Sequence, residues 1–160
     1  MKAFAIALLA STALPVVAHA GEQTLDFKFV VKPVDVKAVQ APNIEGRQLA
    51  VGSWFGVAFF KDGRVAIKDF VDTSDLLKGL GPVKGYSTYT FEDGSSITAS
   101  YIGERPPGHM ATITILSGTG MYDKATGTGT WDAVPTKWTD GAVLLNGSFH
   151  VKTPDKGATQ

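Results

Sequence analysis

GYSTYTFEDGSSITASYI, residues 85–102, consists of two alternating arms around an Asp-Gly pair. Tyr89 and Phe91 fall on one face of the first arm, and Ile97, Ala99 and Tyr101 on one face of the second, as a side-chain period of two requires. Asp93-Gly94 can take the positive φ angles that a tight turn needs if its twist is to match the flanking strands. The stretch therefore reads as an antiparallel hairpin. Upstream, VGSWFGVAFF, KDGR and VAIKDFV repeat the device on Asp62-Gly63.

Working outward, TLDFKFVV from Thr24 alternates Leu25, Phe27, Phe29 and Val31 with Asp26 and Lys28, which signals a half-buried strand. Pro33 interrupts it, Val34, Val36 and Ala38 resume it, and AVQAPNIEGR reads as a loop. TSDLLKGLG, after the first hairpin, offers Thr73 or Ser74 as a helix cap and three leucines at roughly helical spacing. It predicts one short helical turn over a barrel end or edge. ERPPGH breaks the pattern, MATITIL is a strand, and SGTGMYDKATGTGTW, residues 117–131, must end that strand, turn and re-enter the sheet. Its glycines supply positive φ or close backbone approach, with Tyr122 plugging the turn onto the core. A polar loop, AVPTKWTDG, leads to AVLLNGSFHV, read as one long final strand with a bulge at Asn146-Gly147 in preference to a hairpin turn. Seven or eight strands with almost no helix, joined in sequence order, imply an all-β fold, an eight-stranded antiparallel up-and-down β-barrel. That size encloses packed side chains or one small ligand.

Residues 1–20 place one Lys before the apolar run Ala3 to Leu9 and end in Ala18-His19-Ala20. This is the pattern of a signal peptide cleaved after Ala20, with an apolar run too short to span a bilayer. A periplasmic or secreted protein is expected, as one barrel domain over residues 21–153 with a disordered tail at 154–160. Beyond the leader, 14 Lys and Arg face 15 Asp and Glu, scattered, so no basic stripe recruits nucleic acid or an anionic membrane. The chain contains no Cys, so packing and backbone hydrogen bonds alone must hold the fold. Closing the sheet removes the exposed strand edges.

Gly94-Ser95-Ser96-Ile97-Thr98-Ala99, Gly103, Ile115-Leu116-Ser117-Gly118-Thr119-Gly120-Met121-Tyr122 and Ala125-Thr126-Gly127 resemble the C-terminal half of the allene oxide cyclase and dirigent superfamily. The likeness runs from about Tyr86 to Trp131. It implies a barrel whose apolar interior holds a reactive, often oxygenated hydrophobic molecule and steers its cyclisation or coupling without a cofactor, in a dimer or trimer. The corner arginine of dirigent proteins falls on Glu104 or, with a one-residue slip, on Arg105, and a first-strand acid matches Asp26. A rival likeness, Gly52-Ser53-Trp54 to the lipocalin opening, also implies an exported barrel.

Such chemistry needs a shaped dry cavity, aromatic walls and one or two ionisable groups. Asp26, Glu104, Arg105 and Tyr101 are the candidate catalytic residues. Trp54, Tyr89, His109 and Trp131 are the candidate ligand walls. Against these stand plainer readings: Asp26 on the solvated face of its strand, Glu104, Arg105 and His109 as exposed loop charges, and the aromatics as core. The two histidines beyond the leader lack metal-ligand spacing, so no metal is expected. Three functions remain open: a cofactor-free isomerase, cyclase or lyase, a lipocalin-like carrier of an apolar molecule, and an envelope structural protein.

Overall fold

Every alternating run becomes a strand, and the strands pair in the order in which the chain makes them. A computed structural model describes residues 21–105 and 111–154. The leader, His109 and residues 155–160 lie outside the described residues. The strands are β1 (Gly21–Gln40), β2 (Arg47–Phe60), β3 (Val65–Leu77), β4 (Gly81–Phe91), β5 (Ser96–Arg105), β6 (Ala111–Thr119), β7 (Thr126–Val134) and β8 (Val143–Thr153). Each is antiparallel to its neighbours, and β8 pairs with β1 to close the barrel. Closure pairs both edges of the sheet, so no strand edge is left open to a neighbouring chain.

Both Asp-Gly hairpins form, with Gly63 at φ 93° and Gly94 at φ 80°. β1 continues through Pro33, but Val34 is an extra residue there, since Pro33 pairs with Trp54 and Asp35 with Ser53. Proline has no N–H to give the ladder, so the bulge falls where pairing is weakest. The loop expected over AVQAPNIEGR shrinks to residues 41–46.

Two expectations need correction. Thr73–Leu77 is not a helical turn; it completes β3, with Ser74 and Leu76 buried and Arg47 of β2 paired to Leu77. A lone helical turn gains too few hydrogen bonds to offset its nucleation cost, whereas β2 offers a ready ladder. The reversal is made afterwards by Lys78 and Gly79, both at positive φ. In β8 the register runs without a break from Thr153 opposite Gly21 to Val143 opposite Val31, so Asn146-Gly147 is no bulge. Gly147 is small for another reason: a Cβ there would lie 2.4 Å from the ring of Phe27.

The quoted Gly-rich stretch behaves as expected of it. β6 ends at Thr119, Gly120 turns at φ 61° into a single 3-10 turn over Gly120–Tyr122, and Tyr122 is fully buried against Phe91, ring centroids 5.1 Å apart. At this end of the barrel Phe27 also touches Phe60 at 4.8 Å and Phe149 at 4.7 Å. Arg64 covers the cluster, its guanidinium 5.1 Å from the Phe91 centroid and bonded to the Tyr122 hydroxyl. The interior is solid here.

Candidate functional site

Among the described residues, the opposite end is not filled. β2, β3, β4 and β5 bring Gly52, Asp72, Gly85 and Tyr101 into one cross-strand row. The two glycines flank the acid. A Cβ on Gly52 would lie 2.8 Å from Trp54 Nε1 and 2.9 Å from Asp72 Oδ1, and one on Gly85 would lie 2.9 Å from Tyr101 Oη. Strand glycines of this kind mark places where other groups approach the backbone closely. They leave room for three polar side chains around a cavity of about 270 Å³. Its walls include Phe29, Trp54, Phe70, Val83, Trp131 and Val143, with Asp72, Tyr101, Glu104 and Arg105 as its polar members.

Asp72 is 8 % exposed. Burial raises its carboxyl above the usual aspartate range, and the Trp54 indole N–H, Arg105 and the Gly52 backbone oppose that shift. The indole faces the carboxylate without meeting it in a well-aligned hydrogen bond, so it acts as a nearby dipole. Arg105 Nη2 stands 3.8 Å from Asp72 Oδ2, and its guanidinium lies 5.8 Å from the Trp54 ring centroid. Tyr101 is buried, its hydroxyl has no partner among the described residues, and burial followed by the charge of Asp72 pushes its ionisation well above the ordinary tyrosine value, against the pull of Arg105. It therefore stays a donor with nothing to donate to. Trp54 stacks on Phe70 at 5.5 Å and 5°, and Tyr101 packs on Trp131 at 4.4 Å.

Strand alternation decides between the two residues offered for the dirigent corner. Arg105 shares the inward face of Tyr101 and Gly103, and Glu104 is exposed at the rim. Asp26 sits elsewhere, on the outer face, where Lys61 Nζ donates to it at 2.8 Å and Ser148 Oγ at 2.8 Å. Lys61 first and Ser148 next hold its carboxyl below the usual range. The structure thus brings together Tyr101, Arg105, Trp54 and Trp131, with Glu104 at their edge, and leaves Asp26 outside. Tyr89 is fully buried below the cavity with its hydroxyl unpartnered, and His109 lies outside the described residues.

Two residues escaped the sequence reading: Asp72 and Lys68. Lys68 and Asp72 flank Phe70 at the same inward phase on β3, so the parity of VAIKDFVD was the available signal. Apolar residues on both parities concealed it. Among the described residues no three His, Asp or Glu side chains are grouped to hold a metal ion.

No protein family matches the sequence, and no curated protein matches it either. Solved structures do. One pterocarpan synthase dirigent protein superposes with a TM-score of 0.56 at 17 % identity, covering 93 % of this chain and 100 % of its own. A second superposes with a TM-score of 0.55 at 17 % identity, covering 84 % of this chain and 97 % of its own. At that identity the likeness shows the fold: the closed eight-stranded barrel of dirigent proteins, in agreement with the resemblance read at Tyr86 to Trp131.

Proposed function

We propose that this barrel encloses an apolar small molecule at its open end and acts on it as an exported, cofactor-free isomerase, cyclase or lyase. The observation that carries the reading is the placement of Asp72, Tyr101 and Arg105 around an otherwise apolar cavity. A pocket built for carriage alone gains nothing from a buried acid, whose desolvation opposes folding. A pocket built for chemistry does, because preorganised groups act on developing charge more strongly in a dry site than in water.

The residues divide the work by their environments. Asp72, with its raised proton affinity, takes a proton from the bound molecule or returns one. Tyr101 donates its hydroxyl proton in a hydrogen bond to an oxygen that gains negative charge, and Arg105 supports that charge from the mouth. The stacked Trp54 and Phe70 and the Trp131 wall orient the apolar body. Two structural neighbours are named as pterocarpan synthases, which supports an interior that does chemistry.

The test starts with protein purified from its own host. Native mass spectrometry is expected to find a co-purifying apolar compound, and incubation is expected to convert it to an isomer or cleavage product, with conversion lost in Asp72→Asn. Recovery of the compound unchanged by wild type and variant alike would establish a carrier instead.

A further inference from the structure

At mid-barrel, one layer below the cavity, Lys68 is the largest departure from an ordinary core. It is 0 % exposed, and among the described residues its Nζ has no hydrogen-bond partner. Four rings surround it, with centroids at 3.9 Å for Trp131, 4.1 Å for Phe70, 4.8 Å for Tyr89 and 5.2 Å for Phe29. A structural lysine would reach water along its stem or meet a carboxylate. This one does neither: its strand neighbour Asp69 faces the other side of the sheet, and it pairs with Gly56 on β2 and Tyr89 on β4.

Ring faces attract a cation but accept no hydrogen bond from it, so they do not replace the water that an ammonium with three N–H donors loses on burial. Desolvation pushes Lys68 well below the ordinary lysine value, which favours the uncharged amine with its lone pair on nitrogen. A desolvated, neutral lysine in an apolar pocket is the usual setting for attack on a carbonyl.

Three of the four cage rings, Phe29, Phe70 and Trp131, are also walls of the cavity. Tyr101 Oη nearby has no partner among the described residues, and Tyr89 Oη and Trp131 Nε1 face each other without a well-aligned hydrogen bond, so these donors suit a ligand oxygen that only accepts. We propose that Lys68 captures an apolar aldehyde or ketone in this cavity as an imine, with Phe70 or Trp131 swinging aside to admit the carbonyl carbon. Nζ attacks that carbon, a C–N bond forms, and the carbonyl π pair moves to oxygen, which is protonated. The C–O bond of the carbinolamine then breaks, and oxygen leaves as water with the two hydrogens that Nζ carried. No oxidant or cofactor enters the balance. The inference rests on the cavity binding an apolar molecule, and it names the class of that molecule.

Nonanal is a suitable probe and 1-nonanol its non-covalent counterpart. Treating the mature protein with nonanal and sodium cyanoborohydride at pH 7, then mapping peptides, is expected to label Lys68 about tenfold more than the average surface lysine, because those remain charged. Lys68→Met is expected to lose that adduct, with 1-nonanol still quenching tryptophan fluorescence. Should the variant not fold, wild type alone decides. Between pH 9 and pH 7 labelling of surface lysines falls about a hundredfold, and labelling of Lys68 is expected to stay level. Of the groups acting on Nζ, Tyr89 and Tyr101 remain protonated over this range, Asp69 acts as an opposing charge from the other face of the sheet, and β1, β2 and β7 bring Phe29, Gly56 and Trp131. Quenching by 1-nonanol without preferential Lys68 labelling overturns the imine and leaves the cavity reading standing. Absence of quenching by either probe overturns both.

Discussion

At the end of the barrel where the β2–β3 and β4–β5 hairpins turn, Arg64 lies over Phe60, Phe91 and Tyr122 and is tied to Asp62 at 2.5 Å. At the other end Arg105 lies over Trp54, 3.8 Å from Asp72, beside an open cavity. The two ends share an arginine, an acid and aromatic rings. What separates them is the size of the inward residues around those groups. Phe27, Phe60, Phe91 and Phe149 fill the first end, and Gly52, Gly85 and Gly103 hollow the second. A closed sheet tolerates this because its ladder holds the wall whether or not side chains fill the middle. One end is packed solid, and the other keeps a cavity between its walls.

The contrast breaks most severely at the filled end. Phe27→Ala, which removes a ring touching Phe29, Phe60, Tyr89 and Phe149, is expected to cost about 3 to 5 kcal/mol in urea denaturation. Overfilling the same place should cost less: Gly147→Ala drives a methyl into the Phe27 ring, with an expected loss of about 1 to 3 kcal/mol and no change in denaturant slope.

Lys68 marks the boundary between the ends, and its substitution should run in the opposite direction. Lys68→Met is expected to stabilise the protein by about 1 to 3 kcal/mol at pH 7, because an unpaired polar group leaves the core. The native amine ionises well below 10.5, the ordinary lysine value, so above the native pKa the unfolded chain binds more protons than the folded one. Wild-type stability therefore rises with pH toward 10.5, and the variant's advantage should shrink between pH 7 and pH 9.5. An advantage that stayed level over that window would show the amine to be charged in the folded state.

At the hollow end stability effects should be slight. Asp72→Asn is expected to change it by no more than about 1 kcal/mol, since the long pair with half-exposed Arg105 contributes little. Its pH signature is sharper. The carboxyl of Asp72 is raised above 3.8, so the folded state holds the proton longer and wild type loses stability as pH climbs from 3.8 through the native value. The variant should lack that slope. Smallest of all, Asp26→Asn breaks only an exposed contact to Lys61 and a bond from Ser148, and is expected to leave the urea midpoint and 1-nonanol binding unchanged. A loss of binding there would relocate the site to the outer face.

Much of the fold was legible in the chain. The Asp-Gly turns fixed two hairpins, and alternation marked the strands even across Pro33, because backbone ladder and side-chain parity are local properties. The leucines of TSDLLKGLG misled because their spacing fits a helix, while the neighbouring strand that claims them is distant in sequence. Asn146-Gly147 misled in the same way, since the Phe27 ring that requires Gly147 arrives from the far end of the chain. Of the site, Tyr101, Arg105, Trp54 and Trp131 were visible as types and positions. Their convergence on Asp72 was not.

The amino-acid order alone determined most of the strands and both Asp-Gly turns, since a period of two and a positive-φ glycine act over a few residues. It could not decide which parity of β3 faces inward, because Val65, Ile67 and Val71 on one face are as apolar as Ala66 and Phe70 on the other. Only closure of the sheet settled that choice. In settling it, the barrel drew Lys68 and Asp72 out of water, where burial gives an amine and a carboxyl properties that neither has in the open chain.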